Sequence, residues 1–415
     1  MHVESRTPLI EPPKGRILFL TSCPEPWGGS EELWAGAACR LYERGYRVQS
    51  GRSDFWNRGP LHSRLVDLRS SGVGVRNFAV TSIERVIPDG FHRFLPSIAP
   101  KVLTARDRWL AWKLQNLRPD LVVVSQGGSY DGITVVDVPR LCQIAGLPYV
   151  LICQKSSETD WPMDNWRHDI RDRFQKAEHI YFVSEHNRKV TEQQLGVSLV
   201  NAEVVRNPYM VKTLDPLPWP VVGEGGRYKL ACVGRMFPRE KGQDILINVL
   251  ARQRWQERPV DVDFYGAGVQ TIGLAEMARF LGVRNVYNKG FSHDIADVWR
   301  DHHALIVCSR SEGLPLAQVE AMICGRPVIA VPAGGVAEIM RDGETGFLAS
   351  SASEEALDLA MERAWQRRDE WEELGQTGAK LIKGMVPVDP CAVFADKLEA
   401  IHQSVIDRRN ASVTK

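Results

Sequence analysis

Two carboxylates, Glu312 and Glu320, stand with seven residues between them in Ser309-Arg-Ser-Glu-Gly-Leu-Pro-Leu-Ala-Gln-Val-Glu-Ala-Met322. An apolar run, Ala304–Cys308, precedes them, and Gly325 with Pro327 follows. The pattern reads as strand, loop and helix, with Pro315 in the first helical turn, where its missing N–H costs nothing. Free amides around Gly313, Leu314 and Leu316 would then point outward from a helix start and suit an anion. Glu312 falls in the loop and Glu320 on the helix, so each can accept from a separate pair of sugar hydroxyls. Taken singly, Glu320 reads as a solvated acid and Glu312 as a local cap.

Arg235 and Lys241 follow another apolar run, Lys229–Gly234. A guanidinium fork and a lysine point charge suit an anion that gains charge in a reaction. Because Arg239 and Glu240 crowd the same loop, surface ion pairing is the competing reading. Asp261-Val-Asp263 has the spacing of a metal-binding pair but alternates with Val260, Val262 and Phe264, which marks a strand and a structural role. Gly266-Ala-Gly268 reads as a strand-to-helix turn. Near the N-terminus, Trp27-Gly-Gly-Ser-Glu-Glu32 opens a helix. Gly28 and Gly29 allow close backbone approach there, and the two acids read equally well as solvated. His186, His302 and His303 read as helix-surface positions.

The elements that position these residues alternate in the βα manner of a parallel sheet. Strands are predicted at Arg16–Thr21, from Arg47, and at Asp120–Ser125, Tyr149–Cys153 and His179–Ser184. A second series runs Lys229–Gly234, Val260–Gly266, Ala304–Cys308 and Pro327–Val331. Three prolines in Asp215–Pro220 suit neither helix nor strand interior and mark a linker. The expected layout is a first domain over 14–212, a linker over 213–227, a second domain over 228–384 and a C-terminal helix over 385–408 packing back toward the first. Two doubly wound domains in series place their strand ends toward a cleft. The stretch Ile83–Leu114 predicts a helix carrying Trp109 and Trp112, for which ordinary helical packing is the leading reading and a membrane-facing patch the alternative.

Composition narrows the partners. With 415 residues, the chain exceeds what one core usually serves. Its 52 basic and 51 acidic residues give a net charge of +1, so no global field points to nucleic acid. The eight cysteines form no C-x-x-C, and Cys153, Cys232 and Cys308 lie in apolar runs as small hydrophobes. No signal-like stretch opens the sequence and no run reaches the roughly 18 apolar residues of a membrane span. A cytoplasmic protein, peripheral to a membrane at most, is expected.

Glu312-Gly-Leu-Pro, Glu320-Ala-Met and Gly325-Arg-Pro-Val-Ile together resemble the retaining glycosyltransferases of family 4. The series continues through Gly334-Gly-Val-Ala-Glu338 and Asp342-Gly-Glu-Thr-Gly-Phe-Leu348. Upstream it takes in Gly234-Arg235, Lys241-Gly242, Gly266-Ala-Gly268 and Asn207. The resemblance implies an α/β chain of GT-B fold, with two Rossmann-like domains across a cleft. It also implies sugar transfer from a nucleotide diphosphate sugar to an acceptor hydroxyl with retention, without metal or cofactor. The acceptor would be a glycan, a lipid-linked glycan or a small molecule. Carried over residue by residue, the implied catalytic groups are Glu312, Arg235 and Lys241. The donor would meet these with Gly234, Gly266, Gly290, Gly313, Leu314, Pro315, Leu316 and Glu320, and the acceptor side would hold Gly28, Gly29, Gln154 and Lys155. One departure stands out: many relatives carry a histidine where this chain has Gln154, which holds a hydroxyl but does not titrate. A nucleotide-sugar epimerase and a non-catalytic nucleotide-sugar binder are the alternatives on the same fold.

Overall fold

The computed structural model describes residues 12–23, 27–52, 62–77, 99–134, 137–292 and 294–413. Part of the Ile83–Leu114 stretch lies outside them; the helix predicted at its end runs Ala99–Asn116. A seven-stranded sheet comprises β1 (Arg16–Thr21), β2 (Arg47–Arg52), β3 (Gly74–Asn77), β4 (Leu121–Gln126), β5 (Tyr149–Cys153), β6 (His179–Phe182) and β7 (Ala202–Val204). Its order is β3-β2-β1-β4-β5-β6-β7. A six-stranded sheet comprises β8 (Tyr228–Val233), β9 (Val260–Tyr265), β10 (Val286–Gly290), β11 (Ala304–Val307), β12 (Val328–Ala330) and β13 (Gly346–Leu348), in the order β10-β9-β8-β11-β12-β13. Strand β1 pairs in parallel with β2 and β4, and β8 with β9 and β11.

Alternation along the central strands explains why both faces of the second sheet are covered. Leu230 and Cys232 of β8 enter one apolar cluster with Ala304 and Ile306 of β11, whereas Ala231, Leu305 and Val307 enter another. Side chains of period two thus feed two helical layers, the pattern of a buried parallel sheet. Each sheet reverses its winding beside its first strand, between β1 and β4 and between β8 and β11. Loops leaving the carboxyl ends of the strands at such a reversal frame a crevice, because the helices that follow them depart to opposite faces. Of the predicted donor residues, Gly234, Arg235 and Lys241 follow β8 and Glu312 to Glu320 follow β11, whereas Gly266 follows β9 and Gly290 ends β10.

The chain divides into two compact units, one of residues 1–152, 172–180 and 391–415, the other of 153–171 and 181–390. Within the second, the proline-rich segment is irregular, as expected, yet fixed: Leu217 donates its N–H to Cys324 O at 3.2 Å and Arg326 donates to Pro218 O at 2.6 Å. Arg326 is fully buried, and burial lowers its guanidinium to about 10. In the first unit, the helix Pro390–Val413 contributes Asp396, 2.7 Å from Arg44, and His402, edge-on to Tyr46. Among the described residues no helix is long and apolar enough to cross a membrane.

Candidate active site

Strand β11 ends at Val307, and the loop Cys308–Leu314 leads to the helix Leu316–Ile323. Pro315 is the N-cap of that helix, one step before the first turn where the sequence put it, because its ψ of 121° is extended. Leu316 opens the helix. Leu314 packs into the core. Gly313 is fixed by contact: a β-carbon there would stand 1.9 Å from the carbonyl oxygen of Gln154. Only glycine lets these two backbone segments meet.

Glu312 is buried, and Lys241 reaches it from the other loop. Lys241 Nζ donates to Glu312 Oε1 at 2.6 Å, and Ser309 Oγ donates to the same oxygen at 2.6 Å. The methylenes of Lys241 cross Gly234, where a β-carbon would lie 3.6 Å from Lys241 Cδ. Gly234 in turn donates to Tyr265 O, and Gly266 donates to Gly290 O, the last residue of β10. At φ +133° Gly266 needs glycine twice over, since a β-carbon would also fall 2.0 Å from Gly234 O.

Arg235 does not pair with Glu312. Its Nη2 donates to Glu240 Oε2 at 3.1 Å, while Lys155 Nζ donates to the other oxygen of Glu240 at 2.7 Å. Burial alone would raise the Glu240 carboxyl, but Lys155, Arg235 and Lys241 hold it below its ordinary value. In the sequence Glu240 marks only a charged loop. Here it is the counter-ion that gathers Lys155 and Arg235 beside the Lys241–Glu312 pair, so Lys155 joins the predicted donor residues.

Glu320 is buried too, and its Oε1 accepts the Met210 N–H at 2.8 Å. The solvated reading of this acid is excluded. Gln154 and Asn207 are buried together, Asn207 Nδ2 donating to Gln154 Oε1 at 2.7 Å. Among the described residues Gln154 Nε2 and Asn207 Oδ1 are buried without a hydrogen-bond partner.

Other predicted positions lie elsewhere. In the first unit, Gly28 caps the 3-10 turn Gly29–Glu31 that leads into the helix Glu32–Glu43. Glu31, read as solvated on one account, is fully buried and accepts from Thr21 Oγ1 at 3.0 Å. Burial raises its carboxyl to about 7. Between about 4.5 and 7 the unfolded chain loses a proton that the folded one keeps, so stability falls as pH rises through that window. Urea unfolding at pH 5 and pH 8 is expected to show this loss, on the order of 3 kcal/mol, in the wild type and not in Glu31→Gln.

His302 and His303 are buried, not on a helix surface as expected, because the helix Ile295–Asp301 ends before them and β11 follows at once. His302 Nε2 lies 3.1 Å from Asp263 Oδ2, and Lys229 N–H donates to His303 Nδ1 at 3.1 Å. Burial lowers His303 to about 4. Asp261 pairs with Arg227 at 2.9 Å. The Asp261–Asp263 pair is thereby engaged in structural contacts on β9, as the alternation indicated. His186 does lie in the first turn of the helix Glu185–Leu195, its Nε2 2.5 Å from Glu158 Oε1. That carboxylate raises the imidazole above its ordinary value.

Two doubly wound parallel sheets with basic and acidic residues at the second switch point define the GT-B class of fold. Residues 227–367 match the family described as glycosyl transferases group 1. Over 153 residues the chain is 33% identical to a GDP-mannose-dependent alpha-(1-6)-phosphatidylinositol monomannoside mannosyltransferase of Mycolicibacterium smegmatis, covering 34% of this chain and 39% of that protein. Over 156 residues it is 32% identical to a D-inositol 3-phosphate glycosyltransferase of Gordonia bronchialis, covering 35% and 34% respectively. The matched stretch thus spans less than half the length of these relatives. In three dimensions the chain is similar to Anabaena HepE, solved with UDP and glucose (TM-score 0.66, 18% identity, 93% of this chain and 100% of that one). It is also similar to TarM of S. aureus, solved as a mutant with fondaparinux, alpha-GlcNAc-glycerol and UDP (TM-score 0.68, 14% identity, 94% and 99%). The family match therefore runs across the second sheet, and over the first sheet the likeness is one of fold.

Proposed function

We propose that the protein is a retaining glycosyltransferase, moving a sugar from a nucleotide diphosphate sugar to an acceptor hydroxyl in glycan, polysaccharide or glycolipid synthesis. The observation that carries this reading is the Lys241–Glu312 pair at the switch point between β8 and β11, with Arg235 and Lys155 gathered by Glu240 next to it. Such a pair is a donor site in its resting state. An arriving diphosphate takes Lys241 and Arg235 from their carboxylates, and the sugar hydroxyls take Glu312. The first amides of the helix Leu316–Ile323 add partial positive charge toward the phosphates. Glu320 then orients the ribose from the same helix.

Charge builds on the diphosphate as the glycosidic bond breaks, and fixed cations stabilise it without reorganising. A donor phosphate oxygen takes the acceptor proton on the same face, which gives retention. The protein supplies position and charge. Gln154, bonded to Asn207, stands where the family resemblance implies a histidine.

Thermal unfolding with a panel of nucleoside diphosphate sugars tests the reading, since a ligand at about 100 times its Kd adds about 2.7 kcal/mol to stability. The matching donor is expected to raise Tm and, with acceptor, to release nucleoside diphosphate. Arg235→Ala should weaken that donor by about tenfold, the loss of one charge-assisted contact. No shift with any nucleotide sugar, or isomerised sugar without release of nucleotide, would sink it.

A further inference from the structure

From Glu158 to Asp169 every residue except Pro162 and Arg167 is exposed, and this stretch holds three large apolar side chains. Trp161 is 61% exposed, Met163 55% and Trp166 43%. Leaving an indole in water forfeits the burial that usually places tryptophan inside. The stretch continues directly from Gln154 and Lys155, so its root is the segment whose backbone meets Gly313 beside Glu312.

Its foot is held firmly. Ser156 Oγ and Thr191 Oγ1 are 2.8 Å apart in a buried contact, and Gln194 Nε2 donates to Ser157 O at 2.8 Å. Met163 O accepts the N–H groups of Trp166 and Arg167, starting the helix Asp164–Gln175, and Arg171 Nη2 ties that helix to Leu195 O at 2.7 Å. The aromatic tip is therefore presented on an ordered support, and ordering it on binding costs little.

Charge selects the occupant. Glu158, already met by His186, stands in this stretch with Asp160, Asp164 and Asp169 against Arg167 and His168, so three acids remain to face a ligand. An acidic surface repels anionic headgroups, whereas peripheral membrane sites concentrate lysine and arginine. Indole faces beside carboxylates suit the opposite chemistry: the apolar C–H faces of pyranose rings lie on the indoles while their hydroxyls donate to the acids. We propose that Trp161 and Trp166 form the platform for a neutral oligosaccharide acceptor, an inference that rests on the glycosyltransferase reading and names its acceptor class.

The experiment titrates the full chain with neutral gluco-, manno- and galacto-configured trisaccharides and their phosphorylated counterparts, followed by saturation-transfer NMR. At least one neutral trisaccharide is expected to bind, with its phosphorylated form about tenfold weaker. The variant W161A/W166A should lose about tenfold in affinity, while W161F/W166F, which keeps ring faces, stays within about threefold. Unchanged melting of both variants, and an unchanged donor-induced rise in Tm, would exclude damage to the fold or the donor site. Three results overturn the platform: no neutral trisaccharide binds the wild type, the alanine variant binds as well as the wild type, or the tryptophans instead govern retention on phosphatidylcholine vesicles. If the wild type shows no Tm rise with any nucleotide sugar, the enzyme reading fails instead, a result the titrations do not share.

Discussion

Lys241→Ala is expected to lower kcat/KM for donor turnover by about 10²–10³-fold, the size seen when one fixed charge-stabilising donor is removed. The same change should destabilise the protein, because Glu312 is left buried with the neutral Ser309 hydroxyl, 2.6 Å away, in place of a cation. Breaking a buried pair costs roughly 3–5 kcal/mol, but a fifth of the Lys241 side chain meets solvent, so about 1–2 kcal/mol is the expected loss. The two effects separate in the double variant. Lys241→Ala with Glu312→Ala removes the orphaned acid and should regain most of the stability while activity stays at or below that of the single variant. Steady-state kinetics and urea unfolding on the four proteins of this cycle measure both quantities. Wild-type turnover by Lys241→Ala would remove the diphosphate assignment.

The second large effect is expected from a single methyl group. In Gly313→Ala the new β-carbon would begin 1.9 Å from Gln154 O and 2.8 Å from Val183 Cγ2. The first is backbone and has no rotamer to yield, so the loop of Glu312 must move. Overpacking of this kind costs about 1–3 kcal/mol. A displacement of about 1 Å at a positioning residue costs on the order of 10²-fold in rate. Activity should therefore fall by about 10²-fold with a Tm lowered by a few degrees, and Kd for free nucleoside diphosphate should change less than kcat. Equal activity in Gly313→Ala and wild type would show that Glu312 does not act from this position.

Much of this arrangement is legible in the sequence. Most central strands of both sheets are apolar runs and β9 alternates, so β1, β4, β5, β8, β9 and β11 emerge within a residue or two of where their composition puts them. Strand β10 does not, because Val286-Tyr-Asn-Lys-Gly290 is an edge strand largely open to water and its residues carry no burial signal. Strand β7 is three residues long, too short for alternation to register. At the site, glycine and proline place the Glu312 loop and its helix correctly, since those residues act through local backbone geometry. Ion pairing across sequence is different. Glu240 bridges Lys155 and Arg235 across 85 and 5 residues, and only the first separation decides which loop Lys155 joins. His302 and His303 mislead because helix periodicity runs on into a strand start, where adjacent residues point to opposite faces and both faces are covered.

The helix Pro390–Val413 also bears on how the chain is made. From Cys391 onward it belongs to the unit that residues 1–152 begin, and about 240 residues separate the two segments. A ribosome adding roughly 5–20 residues per second needs about 12–48 seconds to cover that distance. Throughout that interval Arg44 and Tyr46 await Asp396 and His402, and the nascent amino-terminal unit carries an uncovered face. The second unit's residues 181–390 have meanwhile all been polymerised, so the later-encoded sheet is free to reach its final packing before the earlier-encoded one. Synthesis order and maturation order are then reversed, and truncation near the carboxyl end would strike first at the part of the protein translated first.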